Sequence, residues 1–117
     1  LVGLKATKKV IEMARHSGIG IVNAVNSNNF GAAGFFSTLA TESEMIGFAI
    51  SNTELCMPAM GGVKPVVGNS PFSIAIPSYD GFPICLDVST SAAAYGKILQ
   101  SAKNGLPMLP TFGARQL

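Results

Sequence analysis

The sequence predicts an α/β layered domain, a mixed β-sheet with helices packed on it. Three observations carry this reading. Helical and β-type apolar segments alternate through the first half of the chain. Two apolar runs in the second half, residues 72–76 and 84–88, flank the Asp-Gly turn signal Ser78-Tyr79-Asp80-Gly81 and read as a hairpin. No Gly-x-Gly-x-x-Gly turn opens a helix after a strand, so the layers are not of the Rossmann kind.

The first helix is read over residues 4–17. Ala6, Val10, Met13 and Ala14 form an i, i+4, i+7, i+8 stripe, with Lys5, Lys8, Lys9, Glu12 and Arg15 off it, and Gly18 stands where a helix ends. Glu12 is spaced to pair with Arg15 or His16. Residues 19–25 are short, apolar and β-branched, which predicts a strand ending in Asn26-Ser27-Asn28-Asn29.

A second helix follows from Phe30 or Gly31 to about Glu42, with Phe35, Phe36, Leu39 and Ala40 inward. Residues 46–50 are another strand. Residues 52–68 hold two prolines and no clear period, so they read as a long irregular loop, which in a compact domain is usually functional. The last helix spans about 91–103, capped by Ser89 or Thr90 and closed by Asn104-Gly105. An extended tail with Pro107 and Pro110 follows.

At 117 residues the chain is expected to be one domain, 1–117. Its 48% hydrophobic residues exclude disorder, while 12% charged residues is about half the usual share. So little charge leaves apolar surface uncovered and predicts a face that meets another subunit or domain. The chain opens at Leu1 inside a helical pattern and ends on Gln116-Leu117, which reads as a fragment or processed product.

The net charge of +2 and the loose cluster Lys5, Lys8 and Lys9 give no nucleic-acid footprint. No apolar run reaches the roughly 18 residues of a bilayer span. Cys56 and Cys85 lack a CxxC partner or nearby histidines, so no metal site is expected; both read as reduced thiols of an intracellular protein.

Two helix N-termini attract notice, one after Asn26–Asn29 and one after Asp87-Val88-Ser89-Thr90-Ser91. Free backbone N–H groups at the carboxyl end of a strand suit anions, and the same residue types serve as plain N-caps. Asp87 is either a helix-capping acceptor or a ligand contact such as to a ribose hydroxyl. His16, the sole histidine, lies on the charged face of the first helix and reads as structural.

The run Asn26-Ser27-Asn28-Asn29-Phe30-Gly31-Ala32-Ala33-Gly34 resembles the signature of the malate/L-lactate dehydrogenase family, which also includes ureidoglycolate dehydrogenase and diketogulonate reductase. The likeness continues in order through residues 46–53, Pro58-Ala59-Met60-Gly61-Gly62, residues 68–77, residues 86–91 and Gly96-Lys97-Ile98. It implies the cofactor-binding segment of a longer non-Rossmann oxidoreductase, cytoplasmic and homodimeric. Such an enzyme interconverts 2-keto and 2-hydroxy acids with NAD or NADP. The resemblance puts cofactor contacts on Thr53, Asp87, Val88 and Ser89, with Gly61 and Gly62 admitting the cofactor.

Two positions depart from the family pattern. Its catalytic histidine is here Asn29, and its Gly-Thr-Asn-Pro is here Gly68-Asn69-Ser70-Pro71. An amide delivers no proton, so a second reading stands beside the first: a catalytically impaired nucleotide-binding or subunit-interaction module. The family's substrate-binding histidine and arginine fall outside this chain.

Overall fold

The computed structural model describes residues 2–106. The expected tail around Pro107 and Pro110 and the ends at Leu1 and Gln116-Leu117 lie outside these. Contacts divide the chain into two compact units, residues 2–51 with 72–88 and residues 52–71 with 89–106.

The first unit holds helix α1 (Val2–Ser17), helix α2 (Ala33–Thr41) and strand β1 (Gly47–Ile50). The second contributes a short hairpin, β2 (Met57–Pro58) with β3 (Pro65–Val67), before the chain returns to the first as β4 (Phe72–Ile76) and β5 (Ile84–Val88). Helix α3 (Tyr95–Lys103) belongs to the second unit. The sheet of the first unit runs β1-β4-β5 and α2 packs on it, so the α/β class stands. All three strand pairings among the described residues are antiparallel, and no βαβ crossover occurs among them.

Helix α1 ends as the sequence predicts. Gly18 takes φ 80 and its N–H reaches the carbonyl of Ala14 at 2.8 Å, the left-handed close that glycine adopts without penalty. Its buried seam differs from the predicted stripe: Thr7 is the buried residue and Met13 is exposed. The Thr7 hydroxyl donates back to the Gly3 carbonyl at 3.0 Å, which lets a polar side chain sit inside. Gly3 is needed there as well, since a Cβ would lie 2.5 Å from the Phe36 ring of α2. Glu12 pairs with Lys9 at 3.1 Å on the exposed face, and Arg15 donates to Ser43 Oγ instead.

Residues 19–25 form no strand. A Cβ on Gly20 would run into the Val10 carbonyl, so the segment doubles back against α1 and not beside another strand. Ile19, Ile21 and Val25 consequently stay exposed, and β-branching alone does not make a strand without a ladder partner.

Helix α2 starts later than predicted, and of the four residues expected inward Ala40 is buried while Phe35 is not. Ala33, Gly34, Ser37 and Ala40 are buried, whereas Phe35 is 53% exposed. The reason lies in the sheet below. Register puts Gly47–Ala75–Cys85 and Ala49–Ser73–Asp87 in two rows on one face, all small except the last. A Cβ on Gly47 would collide with the Ser37 carbonyl, so helix and sheet backbones approach closely and only small side chains fit between. The core is accordingly an alanine core of Ala33, Ala40 and Ala75. Phe36 packs sideways, 5.0 Å from Phe30 and 5.1 Å from Phe35 between ring centroids.

The opposite sheet face carries the large side chains. Its rows are Phe48–Ile74–Leu86 and Ile50–Phe72–Val88, with Ile76–Ile84 beside them. Six of these eight are exposed: Phe48 61%, Ile50 65%, Ile76 42%, Ile84 68%, Leu86 50% and Val88 37%. This is the uncovered apolar surface that the low charge predicts. The predicted turn between β4 and β5 forms, with Gly81 at φ 80 and its N–H on the Ser78 carbonyl at 3.3 Å.

In the second unit, the expected irregular loop contains the hairpin β2–β3, bulged between Met57 and Pro58. Helix α3 begins four residues later than predicted. Its N-cap is Ala94 with no side-chain bond, so Ser89 and Thr90 do not cap it. Its end is as predicted, with Gly105 at φ 63. No helix among the described residues is long and apolar enough to cross a membrane.

Candidate functional site

In the first unit the candidate residues lie on the loop 26–32 and near the helix it feeds. Asn26 sits at φ 55 and Gly31 at φ 91, so the loop turns through left-handed backbone that asparagine and glycine tolerate best. Asn29 folds onto its own loop. Its Oδ1 accepts the Gly31 N–H at 2.8 Å, a side-chain turn in which an amide mimics backbone. The residue itself is exposed.

Helix α2 has Ala32 at its N-cap, which offers no side-chain acceptor. The acceptor comes from across the sheet: Asp87 Oδ2 receives the Gly34 N–H at 2.8 Å. A carboxylate there satisfies one of the helix's unpaired donors and lies at the positive end of its dipole. Glycine is required opposite it, because a Cβ at 34 would stand 2.6 Å from Asp87 Oδ2. The choice left open for Asp87 thus includes a helix cap, although for α2 and not for the helix that follows it in sequence.

Asp87 and Val88 occupy opposite faces of β5, Asp87 in the row under α2 and Val88 in the apolar row with Phe72. Their side chains therefore do not converge. Beneath α2 lies a polar thread: Ser37 Oγ and Ser73 Oγ are 2.7 Å apart, and Cys85 Sγ is 3.5 Å from Ser73 Oγ. Cys56 and Cys85 are both free thiols, Cys85 on the exposed edge strand.

In the second unit Asn69 is the organising residue, and the sequence reading missed its role. Its Oδ1 accepts the Thr53 hydroxyl at 2.9 Å, and its carbonyl accepts both the N–H and the hydroxyl of Thr90 at 2.9 and 3.0 Å. Gly68 stays bare because a Cβ would run into Thr53 Oγ1. The signal was present in the departure at Gly68-Asn69-Ser70-Pro71, which shifts an amide by one residue. Ser89 Oγ lies 3.2 Å from Ser91 Oγ, and Ser91 donates to the Ala93 carbonyl. Gly61 takes φ 78 in a turn that Gly62 closes onto the Ala59 carbonyl at 2.8 Å, the place a tight turn reserves for glycine.

Comparison with known proteins decides the family. The malate/L-lactate dehydrogenase model matches residues 1–114. The chain belongs to that family. It is similar to the malate/(S)-sulfolactate dehydrogenase of Methanothermus fervidus, 42% identical over 103 residues that make up 88% of this chain and 30% of that protein. It is similar also to the (2R)-3-sulfolactate dehydrogenase (NADP(+)) of Chromohalobacter salexigens, 30% identical over 104 residues, 89% of this chain and 31% of the relative. Among solved structures, the sulfolactate dehydrogenase of Methanocaldococcus jannaschii aligns with a TM-score of 0.79 at 37% identity, covering 92% of this chain and 31% of that one. The chain thus spans about a third of the length of the family members it matches.

Proposed function

We propose that this chain is the cofactor-binding segment of an NAD(P)-dependent dehydrogenase interconverting 2-keto and 2-hydroxy acids. Membership of a dehydrogenase family over residues 1–114 is the observation that carries the reading. The relatives' names point to small acids of the malate and sulfolactate kind, and one names NADP. When bound, the nicotinamide supplies or accepts the hydride.

The residues suit such a group chemically. Thr53, Gly61 and Gly62 are exposed, and without side chains the two glycines let a ligand come close to the backbone, although the Gly62 N–H is held by the Ala59 carbonyl. Ser89 adds a hydroxyl. With the Asp87 carboxylate on Gly34 and the Val88 side chain on the apolar face, these two would serve the cofactor through their main chain. Asn29, at the family's histidine position, can orient a substrate carbonyl by hydrogen bonding. It has no acidic proton to transfer.

The second reading, an impaired nucleotide-binding or interaction module, rests on asparagine standing at position 29 where the family has its histidine. We propose further that the protein is cytoplasmic and homodimeric, the latter supported by the exposed apolar face of the β1-β4-β5 sheet. Titration of the full-length polypeptide with NADH and NADPH, followed by nicotinamide fluorescence, tests the cofactor reading. Saturable micromolar binding of one of them is expected, and no binding of either would contradict it.

A further inference from the structure

We infer that Asp87 is a positioning residue, whose carboxylate holds the 26–34 loop by gripping the first turn of α2 while its cofactor contact runs through the main chain. The inference deepens the proposed function and rests on it for the role of the loop. Three observations support it. The carboxylate is committed to the Gly34 N–H at 2.8 Å, 53 residues away in sequence. The contact admits no side chain at 34, so residue 34 is shaped to receive the carboxylate. No residue of the helix's own N-terminus replaces that acceptor, since the N-cap is Ala32.

The consequence reaches position 29. Asn29 stands five positions before Gly34, and Gly31 at φ 91 is bonded to the Asn29 side chain. If the first turn of α2 is released, the two ends of this short arc are no longer set relative to β5. Asp87 thereby ties the strand that carries the proposed cofactor contacts to the loop that carries the family's proton-donor position. Both belong to the same compact unit.

The test uses Asp87→Ala and Asp87→Asn in the full-length polypeptide, with amide NMR of Gly31 and Gly34 and NADH and NADPH titrations. Asp87→Ala should shift both amide resonances and speed exchange at both. Asp87→Asn keeps an acceptor oxygen and should restore both amides toward the parent, which a general loss of stability would not do. Three results would overturn the inference. One is a Gly31 amide unmoved in Asp87→Ala. Another is an Asn variant as perturbed as the Ala variant. The third is Kd weakened at least about tenfold by both variants with the amides intact, which would make the carboxylate a cofactor ligand. If the parent binds neither nucleotide, the proposed function fails alone, and the amides still decide the positioning role.

Discussion

Ser37 of α2 and Ser73 of β4 meet hydroxyl to hydroxyl at 2.7 Å, both almost wholly buried. Two polar side chains occupy the centre of a helix–sheet seam because larger apolar ones would not fit. Each is satisfied: Ser37 also donates toward the Gly34 carbonyl at 3.1 Å, and Cys85 lies near Ser73. Replacing Ser73 by alanine removes one partner and leaves the other hydroxyl its carbonyl. We expect a loss of about 1 kcal/mol, read as a lower urea midpoint at unchanged slope. An unchanged midpoint would mean that the pair adds no net stability.

Gly47 sets how closely α2 approaches the sheet. A methyl group there would collide with the Ser37 carbonyl and sit 2.9 Å from the Ala40 Cβ. Both neighbours are held by a helix, so neither can give way cheaply. Gly47→Ala should cost about 1–3 kcal/mol, whereas Gly96→Ala, with open space around it, should cost little. Equal thermal midpoints for the two variants would contradict the close approach.

The exposed face of the β1-β4-β5 sheet should behave as an interface. We expect the 117-residue chain to self-associate and to bind an apolar dye, and Ile84→Lys with Leu86→Lys to reduce both. Sedimentation measurements check the first and dye fluorescence the second. A parent chain that is monomeric at high concentration and binds no dye would argue against it.

Much of this was legible in sequence where period and punctuation agree. The end of α1 at Gly18, the close of α3 at Asn104-Gly105 and the β4–β5 hairpin around Gly81 were readable because glycine's conformational freedom marks them locally. Residues 19–25 were misread because their composition is β-like, and the missing ladder partner is a tertiary fact. Apart from Ala40, the buried face of α2 departs from expectation for a related reason. Phe35 and Phe36 were expected inward, but the sheet beneath is built of Gly47, Ala49, Ser73 and Ala75, which no window around residue 35 reveals. Within the candidate site, the family likeness drew attention to Asn29 and Asp87 but not to the bonds they make. The Asp87–Gly34 bond spans 53 residues and the Asn69–Thr53 bond 16, and neither has a local signature.

We propose that in this member of the dehydrogenase family Asn29 occupies the proton-donor position. Reducing a ketone by hydride leaves an oxyanion that a positioned acid must protonate. Asparagine can donate a hydrogen bond to that oxygen but not a proton, and general acid catalysis is typically worth about 10² to 10⁴ in rate. The direct measurement is steady-state turnover of pyruvate and oxaloacetate by the full-length polypeptide and its Asn29→His variant, with nucleotide titration of both. We expect the histidine variant to turn over at least about tenfold faster with little change in nucleotide affinity, the cautious end of that range. A parent that already runs at ordinary dehydrogenase rates, or a histidine variant no faster than it, would contradict the account and leave Asn29 as a loop-closing residue alone.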